Sequence, residues 1–182
     1  MRYISILMLI LAATCLALGQ GTSAQPPKPS PEHQKLAGLV GNWTTEGEAT
    51  ESPFGPAEKW SGTITSEWFS GNFAVVRHVD EKYSVSGEDR TLEVVAYDGM
   101  AKTYTWYAVD SRGWTSLAKA SISGDVLTAV WEGQSAKGRT YKIRGTLQGL
   151  GSDRLTYIQD YSEDEAVWKT YQRSTDSRYK SK

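Results

Sequence analysis

Cysteine is nearly absent: there is one in 182 residues. That excludes a disulfide framework and a cysteine-based metal site. Two histidines leave few geometries for metal ligation or for a Ser-His-Asp set. No charge sign dominates, because 20 basic residues face 21 acidic ones and the net charge is -1. The chain therefore lacks the electrostatic footprint of a nucleic-acid or acidic-membrane binder. No G-x-S-x-G nucleophile elbow and no phosphate loop occur. Phenylalanine is rare at 3 residues, which makes the 7 Trp, 10 Tyr and 17 Gly stand out. Many short strands joined by tight turns fit that composition, in a single domain.

The chain divides from its start. Arg2 is the only charge before Lys28, and Ile4 to Leu18 is almost unbroken apolar sequence. Small and polar residues follow, ending Gly21-Thr22-Ser23-Ala24. This is the layout of a secretory signal, with cleavage expected after Ala24 and a secreted or periplasmic product. The apolar run is shorter than the ~20 residues of a membrane-spanning helix, so no membrane insertion is expected once the signal is removed. Cys15 lies inside the signal, in a poor context for lipid modification. The mature chain then has no thiol chemistry, and its charge is 19 minus 21, or -2. Residues 25–31 (Q-P-P-K-P-S-P) hold four of the six prolines and read as a stiff spacer. Residues 174–182 are polar and basic and read as a frayed tail.

Between them, residues 32–173 read as the folded domain. Ser30 is a candidate N-cap with Pro31 at the first helical position. Leu36, Leu39 and Val40 share one side of a short helix that Gly41 stops. Period-two alternation takes over after it. Strand-like runs cover Trp43–Thr50, Lys59–Trp68, Phe73–Asp80, Thr91–Asp98 and Lys102–Asp110. They continue over Trp114–Ile122, Val126–Trp131, Arg139–Leu147, Leu155–Tyr161 and Ala166–Arg173. Short turns such as Ser70-Gly71-Asn72 and Ser123-Gly124-Asp125 force neighbouring strands to pair antiparallel. The expected fold is all-β: an up-and-down antiparallel barrel of about ten strands behind a short N-terminal helix. A barrel of that width tends to leave a cavity, which the Trp and Tyr rings either fill or line.

His33, Leu36, Leu39, Gly41 and Trp43 spell H-x-x-L-x-x-L-x-G-x-W. A helix followed by G-x-W resembles the entrance of lipocalin-like (calycin) barrels, where the Trp closes the barrel floor. The fuller pattern resembles a family of small bacterial proteins known only as a domain of unknown function. Ala96-Tyr97-Asp98-Gly99 and Val109-Asp110-Ser111 stand where that family reads G-Y-D-P and D-S. The resemblance spans most of Glu32 to Arg173, and implies a fold but no activity. Haem-binding nitrobindins are related ten-stranded barrels that ligate iron through a late histidine. No histidine follows His78 here, so that use is disfavoured, with a Tyr ligand left open.

The interior should hold the function. Trp60, Trp68, Tyr104 and Trp106 are candidate ring contacts for a small hydrophobic or amphipathic ligand. Arg77 and His78 fall on opposite faces of one strand, so one of them should point inward and fix a polar end. Phe73, Val75 and Val79 favour Arg77, which if buried needs a carboxylate from the chain or from a ligand. His33 is a candidate metal ligand or mouth guard, or else a capping side chain. Glu163, Asp164 and Glu165 read as a solvated turn rather than a glycosidase pair. No metal or cofactor is expected. The leading expectation is a small-molecule binder, with an envelope interaction or scaffold protein as the alternative and a small-molecule enzyme behind both.

Overall fold

A computed structural model describes residues 27–179. The expected signal 1–24, with Cys15, lies outside the described residues. Ten strands follow one short helix. Helix α1 is Pro31–Gln34 and runs into a 3-10 turn, Lys35–Leu39. The strands are β1 (Gly41–Ala49), β2 (Glu58–Trp68), β3 (Ala74–Tyr83), β4 (Gly87–Asp98) and β5 (Thr103–Asp110). They continue as β6 (Thr115–Ser123), β7 (Val126–Gln134), β8 (Thr140–Gln148), β9 (Arg154–Ser162) and β10 (Lys169–Tyr179).

Each strand pairs antiparallel with its sequence neighbours, and β1 pairs with β10 to close the barrel. The fold is thus a ten-stranded up-and-down barrel without a free edge. Burial alternates along the strands as the pleat demands. In β3, Val75, Arg77 and Val79 are buried between less buried neighbours. The β6–β7 hairpin turns through Gly124 and Asp125, with Gly124 at φ +59°, a conformation that costs glycine least. Among the described residues no helix is long and apolar enough to cross a membrane.

One barrel end is closed by α1 and the 3-10 turn. Leu36 and Leu39 are fully buried there, against Trp43, Ile64, Val75 and Val95. The Trp43 indole donates to the Leu39 carbonyl at 3.1 Å. Arg178 stacks over the Trp43 ring at 4.0 Å and donates to the Val40 carbonyl at 2.6 Å. Gly41 enters β1 at φ +139°, and a Cβ there would lie 2.2 Å from the Arg178 guanidinium. The glycine of G-x-W is therefore the clearance for that arginine.

His33 is buried at 8% exposure, edge-on to Phe73 and Tyr97 at 5.1 and 5.3 Å. Its Nδ1 accepts from the Ser30 backbone at 3.0 Å, so it serves as a cap and packing residue at the barrel's closed end.

Residues 174–179, expected in a frayed tail, instead continue β10. Ser174–Tyr179 pair with Gly47–Asn42 on one side, and Ser174–Ser177 pair with β9 on the other. Polar side chains suit this strand because Ser174 and Asp176 face a polar interior rather than an apolar core. Likewise β4 begins at Gly87, earlier than the apolar run starting at Thr91, because Gly87–Arg90 pair with Tyr83–Asp80 of β3.

Candidate functional site

Depth along the barrel axis sorts the interior into three levels. The floor beside the helix is packed with Leu, Val and Ala side chains around Trp43. The mouth at the opposite end carries rings: Phe54 contacts Tyr141, Tyr161 and Tyr171 at centroid distances of 5.5, 5.7 and 5.0 Å. Between them lies a polar waist. So the interior is filled at one end and open at the other.

The mouth encloses a cavity of about 680 Å³, bordered by Trp114, Trp131, Phe54, Tyr171 and Gln159. Two smaller spaces lie deeper. One of about 140 Å³ is bordered by Trp60, Arg77, Glu81, Tyr83 and Asp176. The other, about 100 Å³, is bordered by Trp106, Ala108, Trp131 and Tyr157. Gln159 borders all three. A molecule entering the mouth therefore meets aromatic walls first and charge below them.

Arg77 sits at the centre of the waist at 4% exposure. Its Nη1 lies 2.9 Å from Glu93 Oε2 and its Nη2 lies 3.9 Å from Asp176 Oδ2. The guanidinium also stands 5.3 Å from the Trp106 ring centroid. The carboxylates that a buried arginine demands thus come from the chain. Glu81, four residues on along β3, accepts the Tyr83 hydroxyl at 2.7 Å. Gln159 donates to the Tyr157 hydroxyl at 2.7 Å and accepts that of Tyr171 at 2.5 Å. At the rim Arg112 pairs with Asp89 at 2.5 Å.

Burial sets the protonation of these acids. It pushes the Glu93 and Asp176 carboxyls up, and Arg77 pulls both part of the way back. Burial pushes Glu81 up to about 7, against the Tyr83 hydrogen bond and with help from the facing Glu93, Asp176 and Asp89. Burial likewise holds the Tyr157 and Tyr171 phenols neutral, far above their ordinary range.

The candidate ligand residues scatter over these levels. Trp60, Arg77 and Trp106 border the deep spaces together. Trp68 packs against the floor cluster. Tyr104 is also in the floor, where its hydroxyl donates to the Glu32 carbonyl at 2.9 Å and ties α1 to the wall. His78 is exposed on the outer face and borders none of the interior spaces. Glu163, Asp164 and Glu165 lie exposed in the β9–β10 loop, and Asp164 caps the Ala166 amide at 2.9 Å. Sequence reasoning passed over Glu81, Glu93, Gln159 and Asp176. One signal was available: once Arg77 points inward, strand parity carries Glu81 and Tyr83 inward with it.

A family model described as "Protein of unknown function (DUF1579)" matches residues 28–178. None of the curated proteins matches the chain. The chain is similar to the crystal structure of Rv2717c from M. tuberculosis, with 11% identity and a TM-score of 0.58 over 84% of this chain and 100% of that one. A de novo designed fluorescence-activating β-barrel matches with 9% identity and a TM-score of 0.40, over 77% of this chain and 93% of that one. EF1p2_mFAP2b bound to DFHBI matches with 13% identity and a TM-score of 0.37, over 81% and 98% of the two chains. At identities this low the likeness to Rv2717c is one of fold.

Proposed function

The chain belongs to the DUF1579 family of proteins of unknown function, so its role must be read from its own barrel, and we propose that it binds a small amphipathic molecule in the interior. One observation carries this reading. A space of about 680 Å³ opens at the mouth, walled by Trp114, Trp131, Phe54 and Tyr171, and leads towards the polar waist. That volume suits a small organic molecule, and rings over a polar floor suit one with an apolar body and a polar end. The apolar residues Ile4–Leu18 followed by Gly21–Ala24 support export, which makes it a secreted or periplasmic binder.

Ala108 borders both the mouth space and the space beside Trp106. Replacing it with Trp would fill the passage between them. Nile red, a neutral apolar dye, should brighten saturably on the native protein with one site. Ala108→Trp should weaken it about tenfold or more, with an unchanged far-UV spectrum. Equal affinity of both forms, or no saturable binding by the native chain, overturns the proposal. Native mass spectrometry of protein from its own host would reveal a retained molecule.

The second reading, an interaction or scaffold protein, draws on the outer face. Val94, Tyr107 and Leu117 lie side by side across β4, β5 and β6, with Leu117 67% exposed. A clean apo mass together with a self-associated or protein-bound species would favour it.

A further inference from the structure

The charges of the polar waist do not balance. Arg77 is the cation held by Glu93 and Asp176, and Arg112 is taken by Asp89 at the rim. Glu81 faces the same space and has no cation within ion-pair distance among the described residues. Its hydrogen bond comes from Tyr83. The charged and titratable groups facing it are Arg77 and Tyr83 on its own strand, Glu93 and Asp89 on β4, Tyr157 on β9 and Asp176 on β10, and Arg77 is already held by Glu93 and Asp176. Four interior carboxylates therefore share two guanidinium groups.

A second observation points to a missing partner. The Trp60 indole borders the same 140 Å³ space as Glu81, is 8% exposed, and has an Nε1 with nothing to donate to. The Arg77 Nε is equally without an acceptor there. The space is thus bordered by a carboxylate without a cation, by two side chains with idle donors and by Glu93, whose Oε2 accepts no hydrogen bond, beside the tilted Trp60 and Tyr83 rings at 5.4 Å. A buried polar group left unpaired is costly, so such an arrangement calls for an occupant.

We propose that this space receives a protonated amine carrying a nearby acceptor oxygen, so that the barrel's ligand is a cationic amphiphile. This rests on the reading of the barrel as a small-molecule binder. The ammonium would donate to Glu81 and lie against the Trp60 and Tyr83 rings, whose faces attract cations. The oxygen would accept from the Trp60 indole. About 140 Å³ admits an ammonium with a few carbons but no fused ring, so the apolar body would stay in the 680 Å³ mouth. A carboxylate headgroup would face Glu81, Glu93 and Asp176 against one guanidinium, so it should bind weakest. Among the described residues no three His, Cys, Asp or Glu side chains gather as metal ligands do. An organic cation therefore fits better than a metal ion.

Three probes sharing one body test this: 2-naphthylmethylamine, 2-naphthalenemethanol and 2-naphthoate, each titrated against bound Nile red. At pH 8 the amine should bind about tenfold or more tighter than the alcohol, and the acid weakest. Glu81→Gln should bring the amine to within about threefold of the alcohol and leave the alcohol unmoved. Without any substitution, amine affinity should rise from pH 6 to pH 8 as Glu81 ionises around 7, while alcohol affinity stays flat. An acid that binds as well as the amine overturns the inference, and so does an amine no tighter than the alcohol. If the alcohol binds and only the amine preference fails, the binding function stands and this inference alone falls. If neither the probes nor Nile red bind, both fall.

Discussion

Arg77 and Glu81 stand four residues apart on the inner face of β3, and burial treats them differently. Arg77 has two carboxylates within 4 Å. Burial, with the like charges of Glu93, Asp176 and Asp89 facing it and against the Tyr83 hydrogen bond, moves the Glu81 carboxyl from 4.5 to about 7. The folded chain therefore keeps the Glu81 proton up to about pH 7, whereas the unfolded chain releases it near 4.5. Between those values the unfolded state binds fewer protons, so stability falls as pH rises through the window and stays lower above it. Glu93 and Asp176 shift in the same sense. Glu81→Gln carries no charge to bury. It should be more stable than the native chain at pH 8, by up to about 3 kcal/mol, and little different at pH 4. Thermal melts at the two pH values check this, and a variant less stable at pH 8 would mean that the Glu81 charge is compensated.

At the scale of the strand, glycine and aromatic content turn out to be linked. A Cβ on Gly47 would stand 2.3 Å from the Trp60 ring, and one on Gly145 would stand 2.6 Å from the Tyr157 hydroxyl. The barrel accommodates its large inner rings by removing side chains beneath them. Gly62 is tighter still, with a Cβ falling 2.1 Å from the Asp80 carbonyl oxygen and 2.9 Å from the Glu81 Cα. Both are backbone atoms, which cannot rotate away. Gly62→Ala should thus force β2 and β3 apart and cost about 2–4 kcal/mol. Gly99→Ala, where nothing lies within 4 Å, should cost little. Chemical denaturation of the two variants separates them, and equal midpoints would disprove the close approach. Strand alternation made much of this legible from sequence. It favoured Arg77 over His78 for the interior and placed Trp60 and Trp106 on inner faces. It failed where inner residues are polar. Ser174 and Asp176 read as tail because propensity scales expect an apolar inner face, and Glu93 went unremarked among valines for the same reason.

For the whole molecule, parity tells which side of a strand faces in but not how far along the axis a residue lies. Trp60 and Trp68 share the inner face of β2, yet one borders the deep cavity and the other packs on the floor. Depth is fixed only when the barrel closes and the helix chooses an end, and both steps depend on β1 meeting β10 across nearly the whole chain. Most of that seam lies in the last residues of β10. Ser174–Tyr179 supply six of the register pairs to β1, and Arg178 supplies the stack on Trp43. About six ladder hydrogen bonds at about 1 kcal/mol each are comparable with the 5–15 kcal/mol that keeps a domain folded. A chain ended at Arg173 should therefore lose its cooperative melt, with β1 amides exchanging freely with solvent. Arg178→Gln keeps the ladder but loses the stack, the Val40 and Gly38 carbonyl contacts and the ion pair with Asp153, so it should still melt cooperatively, at a temperature lower by several degrees. Hydrogen exchange read at β1 decides between seam and tail: protection that survives truncation at Arg173 would show that the barrel closes without its last six paired residues.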